Sequence, residues 1–269
     1  MKILCIGDIV GRLGRQMIKE SLSDIKKAEK IDWVIANGEN LAGGRGLNKK
    51  TVKEMTDAGV DVITSGNHIW FNDEGVQLLE NKKSQVLRPA NYPPDAPGRG
   101  WDVFTNALGQ RMVVINLIGR VFMRDCFDCP FRAADQILDE IIADKTLIDL
   151  DAIVVDFHAE VTAEKRALAE HLDGQVTAVV GTHTHVQTND AQILNQGTAF
   201  MTDLGMTGAY DSILGVKQVP IIKQFLTQRP QKFVWKTSGR KILSGCIIET
   251  KKGSVKAFSM SAVNKISDN

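Results

Sequence analysis

TAVVGTHTHV, residues 177–186, reads as a buried strand that runs through a glycine into two histidines two positions apart. The same pattern recurs along the chain. KILCIGD (2–8) ends on Asp8, WVIANGEN (33–40) on Glu39 and Asn40, VITSGNH (62–68) on Asn67 and His68, and AIVVDFHAE (152–160) brings in His158. Short apolar runs without polar alternation predict strands buried on both faces, the habit of parallel sheets. In such sheets ligands bind beyond the carboxyl ends of the strands. Four of the five histidines end predicted strands, together with two carboxylates and two asparagines. Packing alone gives no reason for that repetition, whereas a metal centre at a sheet edge does.

Between these runs the spacing changes to that of helices. Ile18, Leu22 and Ile25 predict a helix over 15–27, Asn48 caps a second running to about Ala58, and a third lies near 73–80. Residues 88–100 hold four of the seven prolines and predict an irregular crossing, followed by a hairpin of WDVFTNA (101–107) and RMVVINLI (111–118). After a polar loop the order continues as helix (132–143), strand (152–157), helix (163–172) and strand (177–181). From Ala191 onward the texture predicts hairpins: AQILNQGTAFM (191–201), KFVWKT (232–237) and KILSGCIIETKKGSVKAFSM (241–260). No compositional break divides the chain, so one domain over residues 1–269 is expected, with mixed sheets flanked by helices.

Composition narrows the function classes. Hydrophobic residues make up 43% and charged residues 24%, ordinary for a globular enzyme, and the formal charge of +1 argues against a broad nucleic-acid surface. No apolar run approaches a membrane span or a signal peptide, so a cytoplasmic protein with no membrane partner is expected. Cys126 and Cys129 have CxxC spacing, but no second pair completes a zinc site and no strand-to-helix context supports redox chemistry. GDIVGRLG (7–14) lacks the G-x-G-x-x-G spacing of a dinucleotide loop, and its Asp8 would face the phosphates. His171, in the helix AEKRALAEHL, is expected to face solvent.

Three histidines, two carboxylates and two asparagines offer mixed nitrogen and oxygen donors, a set that suits Fe, Mn or Zn better than Ca or Mg. In extended backbone His183 and His185 project to the same side and reach one centre. Two divalent ions would bring +4 against −2 from Asp8 and Glu39, leaving a Lewis-acidic centre suited to phosphoester hydrolysis. Gly43-Gly44-Arg45-Gly46 lacks the Lys-Ser/Thr of a phosphate-cradling loop, and Arg45 is a candidate for substrate contact.

The order GD, GEN, GNH, an isolated His and G-x-H-x-H resembles the calcineurin-like metallophosphoesterases. GDIVG, NGENLAGGRG, SGNHIW, DFHAE, GTHTHVQT and MTDLGMTG together resemble its YmdB-like bacterial branch, in one register over nearly the whole chain. The resemblance implies a sandwich of two mixed β-sheets flanked by α-helices, and hydrolysis of 2′,3′-cyclic nucleotides, with 3′,5′-cyclic ones as further candidates. It also implies two transition-metal ions, with iron first and Mn or Zn as alternatives. One ion would take Asp8, Glu39, Asn40 and His185; the other Glu39, Asn67, His158 and His183, with Glu39 bridging. A metal-bound hydroxide would attack phosphorus and His68 would be the proton donor. The sequence departs from the broader pattern at Val10, where D-x-H has its histidine, and at Ile69, where an acid follows GNH. Asn40 would compensate for the first; Asp73 is a candidate to orient His68.

Two rival readings remain. A phosphomonoesterase or nucleotidase on the same centre would need extra cations, for which Arg12, Arg45 and Lys217 are candidates. A regulatory, RNA-associated protein with a structural metal site would have no use for a proton donor such as His68. Single-stranded RNA stays open as a substrate without any feature that points to it, and a homo-oligomer is compatible with the sequence.

Overall fold

Strand β1 (Lys2–Ile6) is apolar on both faces because it is covered on both: Ile3 and Cys5 face a second sheet, while Leu4 and Ile6 face helices. The computed structural model describes residues 1–147, 149–251 and 253–267. In chain order β1 is followed by β2 (Asp8–Ile9), α1 (Gly11–Glu29), β3 (Trp33–Asn37), α2 (Lys49–Asp57), β4 (Val62–Thr64) and α3 (Asp73–Glu80). Next come β5 (Trp101–Thr105), β6 (Arg111–Ile118), α4 (Pro130–Ala143), β7 (Ala152–His158), α5 (Thr162–His171) and β8 (Ala178–Thr182). The chain ends with β9 (Gln192–Ile193), β10 (Ala199–Met201), β11 (Met206–Ala209), α6 (Gln218–Thr227), β12 (Lys241–Thr250) and β13 (Ala257–Ile266).

These strands form two mixed sheets, one in the order β2-β11-β12-β1-β3-β4 with β13 beside β12, the other β5-β6-β7-β8-β10-β9. β1, β3 and β4 run parallel, as do β6, β7, β8 and β10. Ile3, Cys5, Trp33, Ile35 and Val62 of the first sheet pack against Met112, Val114, Val154 and Val180 of the second. Outside, Met17, Ile18 and Leu22 of α1 cover the first sheet, and Ile137, Leu138 and Ile141 of α4 cover the second with Leu168 of α5. The expected sandwich with helices outside is the fold observed. Among the described residues no helix is long and apolar enough to cross a membrane.

Three local readings differ. α1 begins at Gly11, four residues before the expected start, because Gly11 takes the turn at φ 56°. KFVWKT forms no strand; only Val216 and Trp235 make an isolated bridge. Helix α6 lies where hairpins were expected, since Val219, Ile222, Phe225 and Leu226 stay exposed and give no core-facing stripe to read. The hairpins of β9 with β10 and β12 with β13 form as expected, though Lys252 in the second turn lies outside the described residues.

Hydrogen bonds as well as apolar contacts join the sheets at their carboxyl ends. Asn37 donates from Nδ2 to Asp156 Oδ2 at 3.3 Å, and the Thr64 hydroxyl donates to the same oxygen. Ser65 N donates to Asn116 Oδ1 at 2.8 Å, and Asn116 Nδ2 returns a bond to Ser65 O at 3.0 Å. This polar seam fixes the sheet ends relative to one another, directly beneath the side chains that converge there.

Candidate metal centre

Glu39 is the hub. It follows β3, is 1% exposed, and faces histidines from two other segments. Its Oε2 lies 3.3 Å from His158 Nε2 and accepts from His68 N at 3.0 Å; its Oε1 lies 3.1 Å from His68 Nδ1 and accepts from Asn40 Nδ2 at 3.1 Å. Burial opposes its ionisation, but His158 and His68 outweigh that and hold the carboxyl well below its usual range. Glycine is required nearby: a methyl group on Gly66 would fall 2.2 Å from His158 Cδ2 and 2.5 Å from Glu39 Oε2.

Hydrogen bonds fix the tautomer of His158. Thr182 has one hydroxyl proton and donates it to Asp156 Oδ1 at 2.8 Å. His158 Nδ1, 2.9 Å from the same hydroxyl oxygen, must then be the donor to it. That leaves a lone pair on His158 Nε2. His183 Nε2 lies 3.2 Å from Glu160 Oε2. His158 Nε2 stands 3.0 Å from His183 Nδ1 and 3.0 Å from Asn67 Oδ1. Burial lowers the proton affinity of both rings.

His158 Nε2, Asn67 Oδ1 and Glu39 Oε2 are acceptors converging on one point, and they repel unless a cation sits among them. One donor atom from each of Glu39, His158 and His183 lies within 4.8 Å of the others. Separations near 3 Å are those of neighbouring ligands around an ion with bonds of about 2.0–2.2 Å. A second sign comes from Asp8: it is fully buried, and its Oδ1 has no hydrogen-bond partner. Its Oδ2 accepts from His183 N at 3.1 Å, and His185 Nε2 lies 3.7 Å from Oδ1. Burial, then the charges of Glu39 and Asp203, push the Asp8 carboxyl well up, a penalty that a cation beside it would remove. The residues present fit a metal.

Each sequence-read candidate ligand and His68 fall at this cluster, but two arrive in unexpected form. Strand β8 ends at Thr182, and His183 and His185 are not extended: their φ angles are +101° and +64°. Non-glycine residues in the left-handed region cost of order 1–3 kcal/mol each and persist where the surroundings dictate them. Here Asp203 does so. It accepts from Thr184 N at 3.1 Å and from Gly205 N at 2.8 Å, and buried Lys165 pairs with it at 2.7 Å. Asn40 presents Nδ2 to His185 Nε2 at 3.3 Å and its oxygen to His68 Nδ1 at 2.9 Å; a flip of the amide would offer the oxygen to the centre instead.

His68 is therefore faced by Asn40 and Glu39, not by Asp73, which heads α3. Phe71 packs edge-on against its ring at 5.2 Å, and Arg45 lies 5.4 Å over Phe71 on the cavity rim. Arg12 lines a separate groove with Arg15 and Lys19. Cys126 is exposed and Cys129 precedes α4; both thiols are free. His171 is exposed and paired with Asp135 at 2.6 Å. The sequence reading missed Asp156, the proton donated by Thr182, Glu160 and the Lys165–Asp203 pair. DF before His158 and TD before Leu204 were visible, but only the register of β7 on β8 brings His158 beside Thr182.

Residues 4–263 match the model of the family described as YmdB-like protein. The chain belongs to that family. It is 45% identical over 249 residues to the 2′,3′-cyclic-nucleotide 2′-phosphodiesterase of Bacillus subtilis (strain 168), covering 93% of this chain and 91% of that one. A crystal structure of a hypothetical protein from Thermus thermophilus superposes with a TM-score of 0.90 at 39% identity, covering 100% of both chains. Another, titled a novel phosphatase from Mycoplasma pneumoniae, gives 0.89 at 32% identity, covering 100% of this chain and 94% of that one.

Proposed function

We propose that this chain is a metal-dependent phosphodiesterase that opens 2′,3′-cyclic nucleotides, acting as a single domain with two transition-metal ions. One ion would be held by Asp8, Glu39, Asn40 and His185, the other by Glu39, Asn67, His158 and His183. Iron is the first candidate, with Mn or Zn next, given the nitrogen-and-oxygen donor set. The observation that carries the reading is the meeting of the bare His158 Nε2, His183 Nδ1 and the Glu39 carboxylate, with the Asp8 oxygen left without a partner. The name of the Bacillus subtilis relative supports the substrate class. Bound metal supplies Lewis acidity, charge neutralisation on the phosphoryl group and activation of water.

The chain's own residues supply the rest. Thr182 and Asp156 hold His158 in one tautomer, and the Glu160 carboxylate lies 3.2 Å from His183 Nε2. His68 stands at the cavity wall with its backbone tied to Glu39, placed to give a proton to the departing ribose oxygen. Among the described residues lining the cavity, Arg45 is the one Lys or Arg side chain, which suits a singly charged diester better than a dianionic monoester. The test is hydrolysis of 2′,3′-cyclic AMP by metal-loaded protein with the product identified. Conversion to the nucleoside 3′-phosphate supports the reading, and inertness with Fe, Mn and Zn alike overturns it.

A further inference from the structure

The polar centre supplies only part of the lining of a cavity of about 430 Å³. Another part is apolar, lined by Leu214, Val216, Ile221, Phe225, Phe233 and Trp235. None of these six belongs to the three packed clusters of the core. Leu214, Phe225 and Phe233 are 45%, 72% and 44% exposed, so core packing does not account for them. Exposed apolar walls facing a reactive centre are the signature of a ligand site.

Trp235 is seated with particular care. A methyl group on Gly44 would fall 2.1 Å from its indole, and one on Gly215 would fall 3.4 Å away. Both glycines take positive φ, +96° and +92°, so the backbone on which the indole rests suits glycine alone. Lys217 N donates to Val234 O at 2.8 Å and Lys236 N to Gly215 O at 2.9 Å, which pins the segment on both sides of the ring. The indole is thus held before any ligand arrives, and the surface it leaves free lines the cavity. Gln224 adds a polar side chain to this lining. Its Oε1 accepts from Gln231 N at 3.1 Å, which leaves its NH₂ to donate to a ligand.

We propose that this apolar part is a nucleobase subsite, with Trp235 as the stacking platform and the Gln224 amide as a donor to the edge of the base. The proposal rests on the phosphodiesterase reading of the adjoining centre. A nucleotide held there by its cyclic phosphate carries its base one ribose away, within the same cavity. Stacking tolerates any base and favours the larger purine face, so the enzyme selects for the presence of a base and prefers purines.

The test compares 2′,3′-cyclic AMP with 1-O-methyl-ribose 2′,3′-cyclic phosphate, which lacks the base, on metal-loaded protein. Wild type should favour the adenosine ester by about ten-fold or more in kcat/KM, with the difference carried by KM. Trp235→Ala should remove most of that ratio, and Trp235→Phe should keep most of it. Phe225→Ala, at an exposed helix position that carries no folding burden, should lower it in part. Equal kcat/KM for the two esters in wild type, or one common loss on both with Trp235→Ala, overturns the subsite. If neither ester is hydrolysed, the phosphodiesterase reading fails, and calorimetric binding of adenosine 3′-phosphate against ribose 3-phosphate decides the subsite alone. Binding that needs the base and weakens in Trp235→Ala supports it; binding indifferent to both overturns it.

Discussion

Thr182 Oγ1 stands 2.9 Å from His158 Nδ1, and this contact decides which nitrogen of the ring is left for a cation. Because Thr182 gives its one proton to Asp156 at 2.8 Å, it can only accept from His158. Asp156 is fully buried, and its carboxyl, pushed up to about 6 by that burial, is kept ionisable by bonds from Thr64, Thr182 and Asn37.

Replacing Thr182 with Val keeps the shape and removes the hydroxyl. Outer partners of this kind typically contribute about 10–100-fold in metal affinity. Thr182→Val should weaken metal retention by that factor in a competition with a chromogenic chelator, and Thr182→Ser should restore most of it. Unchanged affinity in the valine variant would remove the hydroxyl from the account.

How much of this was legible in the sequence follows from what periodicity reports. Every candidate ligand ends an apolar run or follows one within a few residues, so the convergence of Asp8, Glu39, Asn67, His158 and His183 at strand ends was legible, while the two-sheet sandwich came from the family resemblance. Backbone conformation was not encoded so openly: the THTH segment reads as extended, yet His183 and His185 are left-handed because Asp203 holds Thr184 N and Gly205 N. Lys165 and Asp203 are 38 residues apart and meet only through the packing of α5 on the sheet. Helix α6 was missed because its apolar residues, Phe225 among them, face solvent or the cavity rather than the core, and core burial is what helical spacing signals.

The Lys165–Asp203 pair is buried on both sides, with a separation of 2.7 Å. Lys165→Met should cost about 3–5 kcal/mol, since it strands a buried carboxylate. Denaturant unfolding measures this as a lower midpoint at the same slope, and adding Asp203→Asn should recover part of the loss. A midpoint unmoved by Lys165→Met would show that the pair does not support the THTH turn.

His68 is tied to Glu39 through its backbone N–H, so its ring can be removed without removing a predicted ligand. His68→Ala should lower kcat by about 10²–10⁴-fold for a 2′,3′-cyclic nucleotide, whose leaving group is an alkoxide needing a proton. The loss should be far smaller for bis(p-nitrophenyl) phosphate, and metal content should be nearly unchanged. Loss of metal, or equal slowing of both substrates, would make His68 a ligand or positioning residue.

Charge at the cavity predicts substrate class. With Arg45 as the single Lys or Arg side chain among its described lining residues, bis(p-nitrophenyl) phosphate should exceed p-nitrophenyl phosphate in kcat/KM with the same metal. A reversed preference would favour the monoesterase reading.

Glu39, facing His158 and His68 from opposite oxygens, is the group on which the proposed two-ion centre would depend. The most direct test is to strip the protein with chelator, titrate Fe or Mn back, and follow bound metal and hydrolysis of 2′,3′-cyclic AMP together. Activity should be absent without metal and should reach its plateau near two ions per chain, and Glu39→Ala should lose both ions together. Hydrolysis in the stripped protein, or a plateau at one ion unaffected by Glu39→Ala, would contradict the account.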